Sequence, residues 1–391
     1  MIFATLDNME LNADFHIHSR FAMATSPDLS PETILAGCKT KGLDVVATGD
    51  ALHPVWRGMW EEFMENDSGI VVIPQTEVED ERRVHHVILM ETLEQFDELQ
   101  KRLAPYCSHL ETAGRPHVYA SGEMLAREVH ELGGYIGPAH AFTPWTSLFA
   151  AFEKPSDCYR SEKFDFCELG LSADSTYGAG IEEFAGVPFL TNSDAHSQYP
   201  TKLGREFNRI SVQKKTARGV LDAVMSGNIT LNAGFFPEEG KYNRTACTRC
   251  YKQFSYEEAE ANKWKCPDCK GRIKLGVRER AFAMSSIPET PRPPYLKMIP
   301  LGDVIARVLG VSSPNTKKAK ALYSAFIERF GNEISVLLEA PESEMAEVSE
   351  GVSSAVVSSS SVVSSLTLFT AFSIFSAFFV SLKTLLLDKD V

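Results

Sequence analysis

From the first residues to about position 236, short apolar runs alternate with stretches of helical period. The runs are LDVVATGD, GIVVIPQTE, RRVHHVILM, GGYIGPAH, FDFCELGL and VPFLTNSDAH. Apolar runs this short predict buried strands, and the amphipathic stretches between them predict helices. SPETILAGCKTKG places Pro31 at a helix start, and SGEMLAREVHELGG closes on a glycine pair. Alternating strands and helices predict an α/β fold. Several runs end in His, Asp or Glu, as in a β/α barrel whose strand carboxyl ends carry the chemistry.

The periodicity stops after residue 236. Residues 241–280 read as a cysteine-bearing module, and the Pro-rich SSIPETPRPPYLKMIP reads as a linker. Helical signals return in LGDVIARVLG, KKAKALYSAFIERFG and SEMAEVSEGVSSAV, predicting a small helical domain over 285–350. This part has the cadence of a helix-hairpin-helix half whose glycine pair is reduced to Gly351; an ordinary helical pair is the alternative. Residues 351–391 form a Ser-rich tail with an apolar run from Leu366 to Val380. That run falls short of the roughly 20 residues of a membrane span, so membrane contact is one reading of it and a buried or disordered tail another.

With 391 residues, the chain exceeds the size at which one core stops growing, so several domains are expected. Composition is that of a globular protein, and the net charge of −13 argues against nonspecific adhesion to nucleic acid. Charge is unevenly spread: residues 241–280 hold 11 Lys and Arg against 5 Asp and Glu. The module also interleaves Tyr251, Phe254, Tyr256 and Trp264 with those cations, a composition that suits phosphates and stacked bases, or else a solvated ribbon with its own aromatic core. Eight cysteines and no amino-terminal signal peptide predict a reducing, cytoplasmic setting. There, Cys247, Cys250, Cys266 and Cys269, spaced C-x2-C-x15-C-x2-C, read as one structural zinc site. Cys38, Cys107, Cys158 and Cys167 read as core residues.

His16 and His18 sit two apart behind an apolar lead-in, so both imidazoles point to one face of a strand end. They are followed by Asp50 and His53, Glu77, His85 and His86, His140, and Asp194 and His196; seven of the ten histidines fall at or beside a strand end. Imidazole and carboxylate donors without thiolate suit two or three divalent ions such as Zn²⁺, Mn²⁺ or Mg²⁺. Such ions make hydroxide from water near neutral pH and clamp phosphoryl oxygens, so phosphoester hydrolysis is the expected chemistry. Histidines 85, 109, 117 and 130 read as hydrogen-bonded core or surface residues.

The order H-x-H-S, G-D-x-x-H, T-E, H followed by an apolar run, A-H and D-A-H resembles the polymerase-and-histidinol-phosphatase (PHP) family of metal-dependent phosphoesterases over residues 1–236. The resemblance implies a distorted (β/α)7 barrel joined to a four-cysteine zinc ribbon and a small C-terminal helical domain. It implies a metal site of His16, His18, Asp50, His53, Glu77, His86, His140, Asp194 and His196, with His86 favoured over His85 because the family's histidine directly precedes the apolar run. Asp194 is the expected catalytic residue, and Glu168 faces the same end, with support of the site and a purely structural role as its two readings. The barrel, basic module and linker together resemble a DNA-repair branch of the family. That branch implies nicking on the 5′ side of deaminated bases (hypoxanthine, uracil, xanthine) or abasic sites. The implied partner is damaged DNA, with a sliding clamp as a further candidate. The Ser-rich end departs from the basic tail of that branch. Two readings compete: a PHP phosphatase of a small phosphomonoester such as histidinol phosphate, and a DNA-binding scaffold with a dead site.

Overall fold

The computed structural model of the chain describes residues 8–240 and 242–359. Strands β1 (Met9–Asp14), β2 (Val45–Ala47), β3 (Val71–Ile73), β4 (Gln75–Glu79), β5 (His85–Leu89), β6 (Tyr135–Pro138), β7 (Cys167–Glu168), β8 (Phe189–Leu190), β9 (Phe207–Val212) and β10 (Ile229–Gly234) alternate with helices through the first 236 residues. The fold is α/β. Its strands form a six-stranded sheet that includes β10-β9-β1-β2-β3, a three-stranded sheet β4-β5-β6 and a two-stranded pair β7-β8. β1, β2 and β3 are parallel, whereas β9 runs antiparallel to both β1 and β10. β4 and β5 are also antiparallel, because the few residues between them are too short for a crossover.

The helix Pro31–Lys41 shows how local sequence sets an element. Ser30 and Thr33 form a capping box, Pro31 occupies the first turn, and Gly42 closes the helix in the left-handed region at φ 97°. A Cβ on Gly42 would meet the Asn332 side chain at 2.3 Å, so glycine also allows the C-terminal helices to approach. Those helices, Leu301–Val308, Lys317–Phe330, Glu333–Leu338 and Glu342–Ser359, share one apolar core with the helix Pro31–Lys41 through Ile34, Cys38, Ile305, Phe326 and Ile334. Gly351 lies inside the last helix rather than in a hairpin turn.

The cysteine module carries its own short hairpin, β11 (Ala246–Cys247) with β12 (Ile273–Lys274), and a small core of Phe254, Ala259 and Ile273. The Pro-rich segment is more than a linker: β13 (Tyr295–Lys297) pairs in parallel with β10 and completes the six-stranded sheet. It begins just after Pro294, and at a sheet edge the neighbouring prolines cost no ladder bonds. Arg292 straps the segment down by donating to Val187 O at 2.6 Å and Phe184 O at 2.7 Å, with its guanidinium over the Phe189 ring. Among the described residues no helix is long and apolar enough to cross a membrane. The apolar run Leu366–Val380 lies outside the described residues.

Candidate metal centre

β1 delivers the first two donors. Beyond its end, Ile17 bridges in parallel to Ala195, which sets His16 and His18 beside Asp194 and His196 although 176 or more residues separate them along the chain. His18 Nε2 lies 3.0 Å from Asp194 Oδ1 and 3.4 Å from Glu77 Oε2. His16 Nε2 lies 3.8 Å from both Glu77 Oε1 and Asp194 Oδ1. Glu77, on β4, also meets His140 Nε2 at 3.1 Å and His85 Nδ1 at 2.9 Å. His196 Nε2 completes the ring, 3.5 Å from Asp194 Oδ1.

Outer carboxylates turn the imidazoles inward. His16 Nδ1 donates to Glu168 Oε2 at 2.9 Å, and His18 Nδ1 donates to Asp50 Oδ1 at 3.0 Å. His85 Nε2 donates to Glu79 Oε2 at 3.2 Å. Each of these three rings therefore aims its other nitrogen at the common centre, which is how a metal-binding histidine is oriented. His16 Nε2, His18 Nε2 and Asp194 Oδ1 are buried and crowd together without a well-aligned hydrogen bond, although His18 Nε2 and Asp194 Oδ1 lie only 3.0 Å apart. Buried polar atoms are normally satisfied by aligned hydrogen bonds, so three such atoms turned to one place fit a divalent ion.

Electrostatics agree with that fit. Burial raises the Glu77 carboxyl, but His85, His140 and His16 hold it well below the usual range. Burial likewise opposes ionisation of Asp194, and His18, His196 and His16 override it. Desolvation pulls His16 down while Glu168, Glu77 and Asp194 push it up to about 9. The carboxylates thus demand positive charge at the centre. Backbone strain marks the same place: Asp50, His140 and Asp194 have φ of 40°, 32° and 48°, a left-handed region that side chains seldom occupy.

Three expected residues lie elsewhere in the arrangement. His86 does not face the centre; its Nε2 donates to Asp80 Oδ2 at 3.2 Å and its Nδ1 accepts from the Tyr159 hydroxyl at 2.9 Å. The reason is strand alternation: register pairs Glu79 with His85 and Val78 with His86, so His85 shares the face of Glu77. His53 caps the helix Pro54–Trp60 and stacks on Phe21 with ring centroids 3.9 Å apart, and its side chain makes no hydrogen bond or ion pair with the other donors among the described residues. Asp50 braces rather than faces the centre, since its oxygens accept from His18, Ser19 N and Ser19 Oγ. Glu168, which also accepts from His140 N and Asn192, supports two members at once. Sequence reasoning missed Glu79 and Arg115, whose Nη1 donates to Glu77 Oε2 at 3.1 Å. Glu79 had a signal, two residues beyond Glu77 on one strand face; Arg115, in a loop, had none.

In the cysteine module, the Sγ atoms of Cys247, Cys250, Cys266 and Cys269 all lie within 4.8 Å of one another. Tyr251 and Lys270, each following the second cysteine of a pair, share a left-handed φ of 60° and donate N–H to Cys247 O and Cys266 O. Two matching turns thus bring four thiols together as a group that suits a metal ion.

Comparison with known proteins follows the same division. Residues 300–359 match the family described as the MJ0043 C-terminal domain. The chain is 40% identical over 250 residues to the uncharacterized protein MJ0043 of Methanocaldococcus jannaschii, covering 61% of this chain and 32% of that protein. It therefore spans about a third of the length of that relative. It is 32% identical over 282 residues to the uncharacterized protein YqxK of Bacillus subtilis, covering 70% of this chain and 68% of that one. The lesion-specific endonuclease PfuEndoQ from Pyrococcus furiosus superposes with a TM-score of 0.83 at 41% identity, covering 88% of this chain and 89% of that structure. A second structure, endonuclease Q bound to a 27-mer duplex with an abasic lesion at its active site, superposes with a TM-score of 0.82 at 41% identity over 88% of this chain and 90% of that one. Identity and coverage at this level make the chain a member of the endonuclease Q family.

Proposed function

We propose that the chain is a metal-dependent endonuclease that nicks DNA on the 5′ side of deaminated bases or abasic sites. The observation that carries this reading is the convergence of three buried ligand atoms without a well-aligned hydrogen bond, His16 Nε2, His18 Nε2 and Asp194 Oδ1, beside Glu77. His16, His18, Glu77, His85, His140, Asp194 and His196 would hold two or three divalent ions. Bound ions would supply a hydroxide from water and neutralise charge on the phosphoryl oxygens. The protein's own part is orientation: Glu168, Asp50 and Glu79 fix the imidazole rings, and Asp194, on its strained backbone, stays ionised and presents an acceptor to the attacking water. On this reading the sheets β10-β9-β1-β2-β3, β4-β5-β6 and β7-β8 would belong to one distorted barrel that carries these residues, and the four cysteines would hold a structural zinc.

The basic module supplies a DNA-facing surface. Exposed Trp145 lies under Lys274 Nζ at 3.3 Å, and Lys274 belongs to β12 of the cysteine module. A flat aromatic face braced by a cation suits stacking against bases, and a lesion is cheap to extrude. A phosphatase of small monoesters has no use for that appendage.

Incubating the protein with Mg²⁺, Mn²⁺ or Zn²⁺ and end-labelled duplexes carrying one deoxyuridine, deoxyinosine or abasic site should give a single nick 5′ to the lesion. Hydrolysis of para-nitrophenyl phosphate with every lesion duplex left intact would point to the phosphatase. The two adjacent histidines separate cleanly: His85→Ala should lose both nicking and bound divalent ion by elemental analysis. His86→Ala should keep its ions but unfold more easily by about 1–3 kcal/mol, because Asp80 and Tyr159 lose a buried partner.

A further inference from the structure

Residues 114–118 cross the rim of the donor ring and are pinned at both ends. Gly114 N donates to Phe21 O at 3.1 Å, and a Cβ there would meet Asp50 Oδ2 at 2.5 Å, so the chain is pressed against the carboxylate that braces His18. Further along, Glu79 N donates to Pro116 O and Val118 N donates to Glu79 O at 2.7 Å. Between these anchors Arg115 projects its guanidinium to Glu77 Oε2, and Asp194 and Glu79 also attract it. Nη1 makes its one hydrogen bond among the described residues, and 31% of the side chain is exposed. On the turn that Gly114 holds, Arg20 follows His18 by two residues; its Nε is buried and has no partner, and it forms no ion pair among the described residues.

A fixed guanidinium beside donors that collect divalent ions would be repelled once those ions bind, unless an anion shares the site. Arginine presents a planar fork of five donors that matches phosphate oxygens, and Arg115 has most of that fork uncommitted. The unpartnered, buried Nε of Arg20 on the adjoining turn asks for a second acceptor. We propose that Arg115 grips a non-bridging oxygen of the scissile phosphodiester and that Arg20 takes a flanking backbone phosphate. Arg115 is then a catalytic residue, since it touches the group whose negative charge grows during displacement, whereas Arg20 positions the strand. The assignment rests on the nuclease reading above.

The test uses full-length, metal-loaded protein and a duplex with one abasic site. Arg115→Met should lower kcat by about 10²–10³-fold with its ion content unchanged, and Arg115→Lys should recover part of that loss. Arg20→Met should raise KM while kcat stays at the wild-type value. Affinity for the same duplex in Ca²⁺, followed by anisotropy against salt, should show a slope shallower by about one in each Met variant. Wild-type kcat in Arg115→Met, or loss of its bound ions together with its activity, would overturn the assignment. So would salt slopes unchanged in both variants. If the wild type leaves the lesion duplex intact, the nuclease reading fails, and the salt slopes still decide whether these two arginines hold phosphate.

Discussion

Asp194→Asn should abolish nicking of an abasic-site duplex, with a fall in kcat of at least about 10³-fold and little change in folding. Asp194 Oδ1 is the atom on which His18, His196 and His16 converge, at 3.0, 3.5 and 3.8 Å. The asparagine has the same shape but one neutral oxygen and an amide that donates, so it removes the negative charge and weakens capture of an ion. A bound ion is worth several kcal/mol of transition-state stabilisation, and about 4 kcal/mol is about 10³ in rate. The backbone at φ 48° tolerates asparagine better than most residues, so the variant should fold. A variant that folds like the wild type and cuts within tenfold of it would remove Asp194 from the centre of the mechanism.

Glu333→Ala should be the most destabilising single change in the C-terminal helices. Lys41 and Glu333 form an ion pair at 2.7 Å in which the side chains are 1% and 0% exposed. Glu333 Oε1 also accepts from Leu301 N, and its other oxygen accepts from the Tyr323 hydroxyl. Lys41 donates in turn to Pro200 O, in the loop that follows Asp194 and His196. Removing the glutamate leaves an ammonium buried without its counter-charge, which typically costs about 3–5 kcal/mol. Lys41→Met combined with Glu333→Leu should recover much of that loss, because it is the orphaned charge that is expensive. Thermal unfolding of the two single variants and the double variant checks this; a loss under about 1 kcal/mol in Glu333→Ala would mean that water reaches Lys41.

What was legible in the chain followed from simple periodicities. His16 and His18 were readable because strand residues two apart share a face, and the cysteine knuckles because their spacing leaves few other uses. The same rule of alternation, carried from Glu77 and Glu79 across the hairpin, selects His85 over His86, but only once the register of β4 on β5 is known. His53 was misplaced because G-D-x-x-H does not reveal that the histidine starts a helix and caps it. The burial of Lys41 has no local signal, because it depends on Glu333 arriving from 292 residues away. β13 was hidden by the prolines that flank it, which are harmless at a sheet edge. Long-range partners decide each of these cases, and a local pattern cannot carry them.

The central claim is that imidazoles and carboxylates from distant segments of the chain close on divalent ions. Anomalous scattering from crystals of the protein grown with Mn²⁺ or Zn²⁺ tests it most directly. Peaks within coordination distance of His16, His18, Glu77, His85, His140, Asp194 and His196 are expected, with His53 and His86 outside that shell. Anomalous signal confined to Cys247, Cys250, Cys266 and Cys269 in an otherwise well-ordered crystal would contradict the account.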